Sequence, residues 1–246
     1  VRVPVEVDGR HETLVYMNEP GELAAYEELR AGFTAAVSHE LRTPLARLLA
    51  LLETALLPDS NPEELIEQAR LEVEEIRELI DDVLFLSELE TGHQVVSLTS
   101  TSARPAVDQV VRGLQERSER AGITIVVDTL PDIDVPLRPR MLRVLVQNLA
   151  ENAIRYAGVG ATLRISLREA GSRITLEAAD NGIGVPDDDL PRLFERFYRS
   201  DRSRASRGTG LGLAIVKHIV TSAGGSVEAS RSTGRGLSIR CLFPTP

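Results

Sequence analysis

The feature that most constrains this chain is a stripe of apolar residues at steps of three and four: Leu23, Tyr26, Leu29, Phe33, Val37, Leu41, Leu45, Leu48 and Leu52. That period predicts one long amphipathic helix from Gly21 to Leu57. Pro58-Asp59-Ser60-Asn61 ends it, and Asn61-Pro62-Glu63-Glu64 opens a second helix, with Asn61 as N-cap, Pro62 at N1 and Glu64 at N3. Leu65, Ala69, Val73, Ile76, Ile80 and Val83 carry the second stripe toward Gly92, read as the C-terminal cap. Two such helices on a short loop make an antiparallel hairpin that cannot cover both of its own stripes. The expected remedy is dimerisation into a four-helix bundle.

The rest of the chain is ordinary globular material. Its 246 residues allow two modest domains, and 42% hydrophobic with 26% charged residues excludes collagen-like, low-complexity and disordered polymers. Cys241 is the single cysteine, so no internal disulfide forms, and no apolar run approaches the roughly 18 residues that span a membrane. With no basic and apolar leader at the start, the expected setting is reducing and cytoplasmic: a soluble protein, or the cytoplasmic portion of a membrane-anchored one. The net charge of −9 disfavours nucleic acid as a partner and membrane contact by this segment. Most of that charge lies between Asp59 and Glu90, where acids far outnumber Arg70 and Arg77; it reads as a solvated helix face.

Residues 1–20 alternate apolar and polar side chains around Asp8-Gly9, the pattern of a β-hairpin. Ser97 to Arg104 reads as a linker. Beyond it, helices are expected at Pro105 to Ala121, Pro139 to Tyr156 and Leu211 to Ala223. Strands are expected at Ile123 to Thr129, Ala161 to Glu169, Arg173 to Ala179, Ser226 to Ser230 and Leu237 to Phe243. Without a strict βαβ rhythm, this mixture predicts an α+β sandwich.

Several constellations carry chemistry. His39 falls about 160° from Leu41 and about 180° from Leu48 on a helical wheel, so it faces away from the stripe. Glu40 adjoins it, Thr43 follows one turn later, and Pro44 is expected to kink the helix there. Asn148 and Asn152, one turn apart, are either satisfied side chains in a helix contact or hard neutral oxygen ligands suited to magnesium. Asp180-Asn181-Gly182-Ile183-Gly184 follows a strand, and Gly208-Thr209-Gly210-Leu211-Gly212 opens a helix, where close backbone amides and a helix N-terminus suit phosphate. Neither loop has the Walker pattern or sits in a dinucleotide-binding βαβ unit. Phe194-Glu195-Arg196-Phe197-Tyr198-Arg199 and the arginine-rich run Asp201 to Arg207 lie between them.

Taken together, Ser-His-Glu-Leu-Arg-Thr-Pro-Leu at 38–45, the asparagines at 148 and 152, Asp-Asn-Gly-Ile-Gly at 180–184, Phe-Glu-Arg-Phe-Tyr-Arg at 194–199 and Gly-Thr-Gly-Leu-Gly-Leu at 208–213 resemble the sensor histidine kinases of two-component systems. They stand in that family's order of H, N, G1, F and G2 boxes. The resemblance implies a dimerisation and phosphotransfer hairpin at 22–92, a linker and first strand region at 93–104, and an ATP-binding domain of the Bergerat fold at 105–246. Residues 1–21 would be the closing strands of a PAS-type sensor domain.

By the same resemblance His39 is the phosphoacceptor, Glu40 takes its proton, and Thr43 positions water when the partner is dephosphorylated. Asn148 and Asn152 would hold Mg2+. Arg155, Tyr156, Asp180, Gly182, Gly184, Arg199, Gly208, Thr209, Gly210, Leu211 and Gly212 would form the ATP site, with Asp180 toward the adenine amino group and Arg155 and Arg199 toward the phosphates. Residues between Val185 and Arg207 would form its lid, and Arg207 stands where many members have glycine. The implied partners are a second copy of the chain and a response regulator. Two alternatives remain: an ATP-binding dimeric module without autokinase activity, and a gyrase- or chaperone-type ATPase. The second class has no counterpart of the His39 hairpin and offers a glutamate base where this chain has Asn148.

Overall fold

In the computed structural model the long apolar stripe is a single helix, α1 (Pro20–Ala55), which runs through Pro44 without a break. The structure describes residues 2–7, 10–15, 20–58, 60–90, 100–128, 133–200, 208–232 and 234–245. The Asp8-Gly9 turn, Gly92, residues 97–99 of the expected linker and the run from Asp201 to Arg207 therefore lie outside the described residues, and the end of that linker is instead a strand and the first turn of a helix. The chain divides into two compact units, Val1–Thr43 and Pro44–Pro246.

The first unit pairs β1 (Arg2–Val7) with β2 (Arg10–Val15) in antiparallel register, Arg2 opposite Val15 and Val7 opposite Arg10. It also holds the part of α1 that carries His39.

In the second unit the end of α1 turns into α2 (Pro62–Glu90). Leu56 and Leu57 amides donate to the Glu53 and Thr54 carbonyls, and Leu65 N donates to the Asn61 carbonyl at 3.2 Å, which starts α2 where Pro62 predicts. Arg47 bridges the two helices, with Nη1 at 3.5 Å from Glu72 and 3.9 Å from Glu75. Along the hairpin Leu45, Leu49, Leu52, Ile66 and Val73 are exposed, whereas Leu79, Phe85, Leu86 and Leu89 farther along α2 are buried.

The sandwich begins with β3 (Thr101–Ser102) and α3 (Ala103–Ala121). It continues through β4 (Thr124–Val127), β5 (Asp134–Val135), α4 (Pro139–Tyr156), β6 (Thr162–Ala170) and β7 (Arg173–Asp180). A 3-10 helix (Asp187–Arg192), α5 (Gly212–Ser222), β8 (Ser226–Arg231) and β9 (Leu237–Pro244) complete it. The main sheet has five strands in the order β4-β6-β7-β9-β8. All of its pairings are antiparallel except β4 with β6. That parallel pair departs from the expected rhythm, and α4 is the crossover it requires.

Burial in β7 alternates strictly, so one face of the sheet is covered while the other is only half-covered. α4 lies between α3 and α5 and buries Leu142, Leu145, Val146, Leu149 and Ala153, a stripe matched to Leu163, Ile165, Ile174 and Leu176 of the sheet. The short pair β3–β5, invisible to periodicity at two residues per strand, closes the start of the sandwich. There Thr101 Oγ1 donates to the Leu137 carbonyl. Cys241 is fully buried, and desolvation pushes its thiol up to about 12, so it acts as a small apolar residue.

Candidate functional site

His39 stands in mid-helix with about three quarters of its side chain exposed, which agrees with its place on the helical wheel. Its Nδ1 is 3.7 Å from Glu40 Oε1, too far for a hydrogen bond but near enough for attraction, and this leaves Nε2 directed away from the carboxylate. Thr43 is exposed on the same helix.

The second unit carries a cavity of about 780 Å³. Its floor on the sandwich side comes from Asn148, Asn152, Arg155 and Tyr156 of α4, from Arg199, and from Gly208, Thr209, Gly210 and Gly212 ahead of and at the start of α5. The N box, the end of the F box and the G2 box thus converge from distant parts of the sequence. Asn148 Nδ2 donates to the Val144 carbonyl at 2.9 Å, which turns its Oδ1 toward α5. A side-chain carbon added at Gly212 would lie 2.6 Å from that oxygen, so only glycine lets the helix start this close to Asn148. Thr209 Oγ1 accepts from the Leu211 amide at 3.2 Å and shapes the turn into α5. Phe197 adopts φ 60°, unusual for a large side chain, and its amide donates to the Gly210 carbonyl at 3.0 Å, fastening the F box to the G2 loop.

Asp180 and Gly182 do not line this cavity. Asp180 is buried at the end of β7, where its Oδ1 accepts the amides of Gly182 at 2.9 Å and Leu237 at 3.3 Å. Burial raises its pKa, and those two amides oppose the rise. The neighbouring Ile183, Gly184 and Leu237 reach the cavity wall, so Asp180 sits just behind it. Gly182 lines a smaller pocket with residues 157–161, Asn181 and Arg235. Gly184 has φ +66°, and a Cβ there would fall 1.5 Å from the Arg235 carbonyl oxygen. Leu211 is fully buried and contributes its backbone.

Two groups of residues escaped the sequence reading. Gly236 packs its backbone against the Asp180 carbonyl, where a Cβ would lie 1.9 Å from that oxygen. The Gly234-Arg235-Gly236 sequence was a visible turn signal, but nothing tied it to Asp180. The larger omission is α2, whose acidic run is not simply a solvated face. Glu78 Oε2 accepts from Arg155 Nη2 at 2.5 Å, Asp82 Oδ2 accepts from Thr209 Oγ1 at 2.9 Å, and Glu88 Oε2 accepts from Arg140 Nη1 at 3.0 Å. Glu72 is buried against Arg47. For Arg155, burial works against the charge, but Glu78 and Glu151 outweigh it and raise the pKa. Burial lifts the Asp82 carboxyl to about 6 against the pull of Thr209, and Glu151 and Glu78 add to the rise.

The donor set fits a nucleotide with its cation: hard carboxamide oxygens from Asn148 and Asn152, guanidinium groups from Arg155 and Arg199, and a glycine loop opening a helix. Among the described residues no cluster of three His, Cys, Asp or Glu side chains offers a separate metal site. No described helix is long and apolar enough to cross a membrane.

Comparison with known proteins agrees with this layout. Residues 29–92 match the His Kinase A (phospho-acceptor) domain, and residues 137–246 match the family of Histidine kinase-, DNA gyrase B-, and HSP90-like ATPases. The chain is 33% identical over 242 residues to the Sensor-like histidine kinase SenX3 of Mycolicibacterium smegmatis, covering 96% of this chain and 63% of that protein. It is 34% identical over 243 residues to the Phosphate regulon sensor protein PhoR of Pseudomonas aeruginosa, covering 96% of this chain and 54% of that one. The chain thus spans little more than half the length of these relatives. Among solved structures, the Acinetobacter baumannii histidine kinase AdeS superposes with a TM-score of 0.70 at 26% identity, over 84% of this chain and 98% of that one. Histidine kinase ThkA, solved in complex with response regulator protein TrrA, shares the fold with a TM-score of 0.70 at 19% identity, over 100% of this chain and 74% of that one.

Proposed function

Because the chain belongs to the sensor histidine kinases, with their phosphoacceptor hairpin and ATP-binding sandwich in one sequence, we propose that it is an ATP-dependent autokinase that phosphorylates His39 and passes the phosphoryl group to an aspartate of a response regulator. His39 Nε2 attacks the γ-phosphorus of ATP, the N–P bond forms as the bond to ADP breaks, and Glu40 beside Nδ1 takes the proton the ring releases. Asn148 and Asn152 are the residues that would hold Mg2+, which when bound neutralises charge on the phosphates. Arg155, Arg199 and the amides from Gly208 to Gly212 orient the phosphates, and Asp180 accepts from the adenine amino group. Tyr156 and the Gly182–Gly184 turn shape the base end of the site.

Two further roles complete the reading. Thr43, one turn from His39, positions water when the partner aspartyl phosphate is hydrolysed. The exposed leucines of the hairpin are the contact between two copies of the chain, which form a four-helix bundle.

The observation that carries the reading is the exposed His39 with Glu40 at its Nδ1, on a helix of the phospho-acceptor match. Incubation with γ-labelled ATP and magnesium tests it. Acid-labile label on the parent and none on His39→Ala is the expected result. Acid-stable label, or equal label on both proteins, would overturn it.

A further inference from the structure

One wall of the nucleotide-sized cavity does not belong to the sandwich. It is the face of α2 that carries Glu78, Asp82, Phe85 and Glu88. Glu78 and Asp82 stand one helical turn apart and so share a face. Their partners are the two groups of the opposite wall best suited to phosphate: the Arg155 guanidinium at 2.5 Å from Glu78 Oε2, and the Thr209 hydroxyl at 2.9 Å from Asp82 Oδ2. Glu78 Oε1 is also 3.5 Å from Arg117 Nη2. A guanidinium donates to a carboxylate or to a phosphate edge with the same geometry, but not to both at once.

We propose that Glu78 and Asp82 act as an internal substitute for nucleotide phosphate, a latch on α2 that occupies Arg155 and Thr209 in the empty protein and has to leave them when ATP enters. Nucleotide occupancy and docking of this part of α2 are then mutually exclusive, and each weakens the other by the same factor. The latch rests on reading the cavity as the nucleotide site.

The surroundings favour exchange over a permanent bond. Arg155 keeps a second carboxylate, Glu151 at 3.7 Å, and Arg117 is held to that same Glu151 at 2.8 Å, so both guanidiniums stay oriented after Glu78 withdraws. Asp82 sits among Glu78 on its own helix, Glu151 and Arg155 of α4, and Thr209, so its charge is opposed by two carboxylates and supported by one guanidinium and one hydroxyl. A group so placed binds its partner weakly enough to be displaced. By contrast the Glu67–Arg70 pair, 2.8 Å apart and exposed, lies within α2 and touches neither Arg155, Thr209 nor the cavity wall.

That difference supplies the control. The whole chain, as parent, Glu78→Gln, Glu78→Gln/Asp82→Asn and Glu67→Gln, is titrated with a fluorescent non-hydrolysable ATP analogue and magnesium. Hydrogen exchange over residues 78–89 is followed with and without the analogue. Glu78→Gln is expected to bind the analogue about five- to tenfold more tightly than the parent, the double variant more tightly still, and Glu67→Gln within about twofold of the parent. In the parent the analogue should speed exchange at 78–89. Unchanged affinity in Glu78→Gln, an equal gain in Glu67→Gln, or exchange unaffected by the analogue would each overturn the latch while leaving nucleotide binding intact. No binding by any folded variant would remove the nucleotide reading and the latch with it.

Discussion

The sandwich and the hairpin that precedes it follow opposite rules. In the sandwich Leu142, Leu145, Leu163, Ile165 and Ile174 are at most 1% exposed, whereas in the hairpin Leu45, Leu49 and Leu52 each keep more than half of their surface in water. The first region closes its core within one chain, and its site is largely a matter of backbone: glycines let strand, loop and helix approach one another and leave a cavity between them. The second exposes His39 and Thr43 as single side chains and leaves its apolar stripe in water. The sandwich buries its apolar residues within one chain, and the hairpin does not.

The sharpest test of that contrast is Leu145→Ala. With its side chain fully enclosed between helix and sheet, its loss should lower the stability of the sandwich by about 3 kcal/mol, read from urea unfolding. A cost below about 1 kcal/mol would mean that the sandwich core is not the closed body described above.

Gly184→Ala should come next. The left-handed φ of +66° and the Arg235 carbonyl only 1.5 Å from where a Cβ would lie force the loop behind the cavity to move. A cost of about 2 kcal/mol is expected, together with weakened binding of the ATP analogue, since Ile183 and Gly184 form the wall in front of Asp180. Gly171→Ala, also at positive φ but with nothing within 4 Å, separates strain from collision and should cost clearly less.

What could be read in the sequence followed the length of the signal. α4 appears with the limits its apolar period predicts, Pro139–Tyr156, and β7 ends at Asp180, one residue beyond the expected strand. The two-residue strands β3 and β5 carry no period at all, and the parallel register of β4 with β6 depends on a crossover that no local pattern specifies. At the site, Asn148 and Asn152 stand out by their one-turn spacing, whereas Arg155 and Thr209 are named through the family resemblance alone. The carboxylates that face them could not. Glu78 and Asp82 look in sequence like any acids on a polar helix face, and only packing over 77 positions brings Glu78 to Arg155.

Asp82 also makes that packing sensitive to pH, with a smaller effect. Its carboxyl titrates near 6 in the packed state because burial disfavours the charge, against about 4 in an unfolded chain. The packed state therefore binds the extra proton between those values. Its contribution is complete below about pH 4, is lost as pH rises through 6, and is constant above that. Relative to Asp82→Asn, which does not titrate, the parent should lose on the order of 1 kcal/mol of stability between pH 4.5 and about 7. Parallel stability curves for the two proteins across that range would show that Asp82 is not held among Glu78, Glu151 and Thr209.

The least effect on folding belongs to the hairpin. Leu49→Ala removes a side chain that is 58% exposed in the single chain, so unfolding of dilute protein should change by less than about 0.5 kcal/mol. The same substitution should weaken self-association about tenfold in sedimentation, because two copies lose the contact together. If Leu49→Ala were as costly in dilute protein as Leu145→Ala, the stripe would already be buried in one chain, and the contrast between a closed and an open region would fail. If it altered neither quantity, the face that exposes Leu45, Leu49 and Leu52 would not be a contact between two copies.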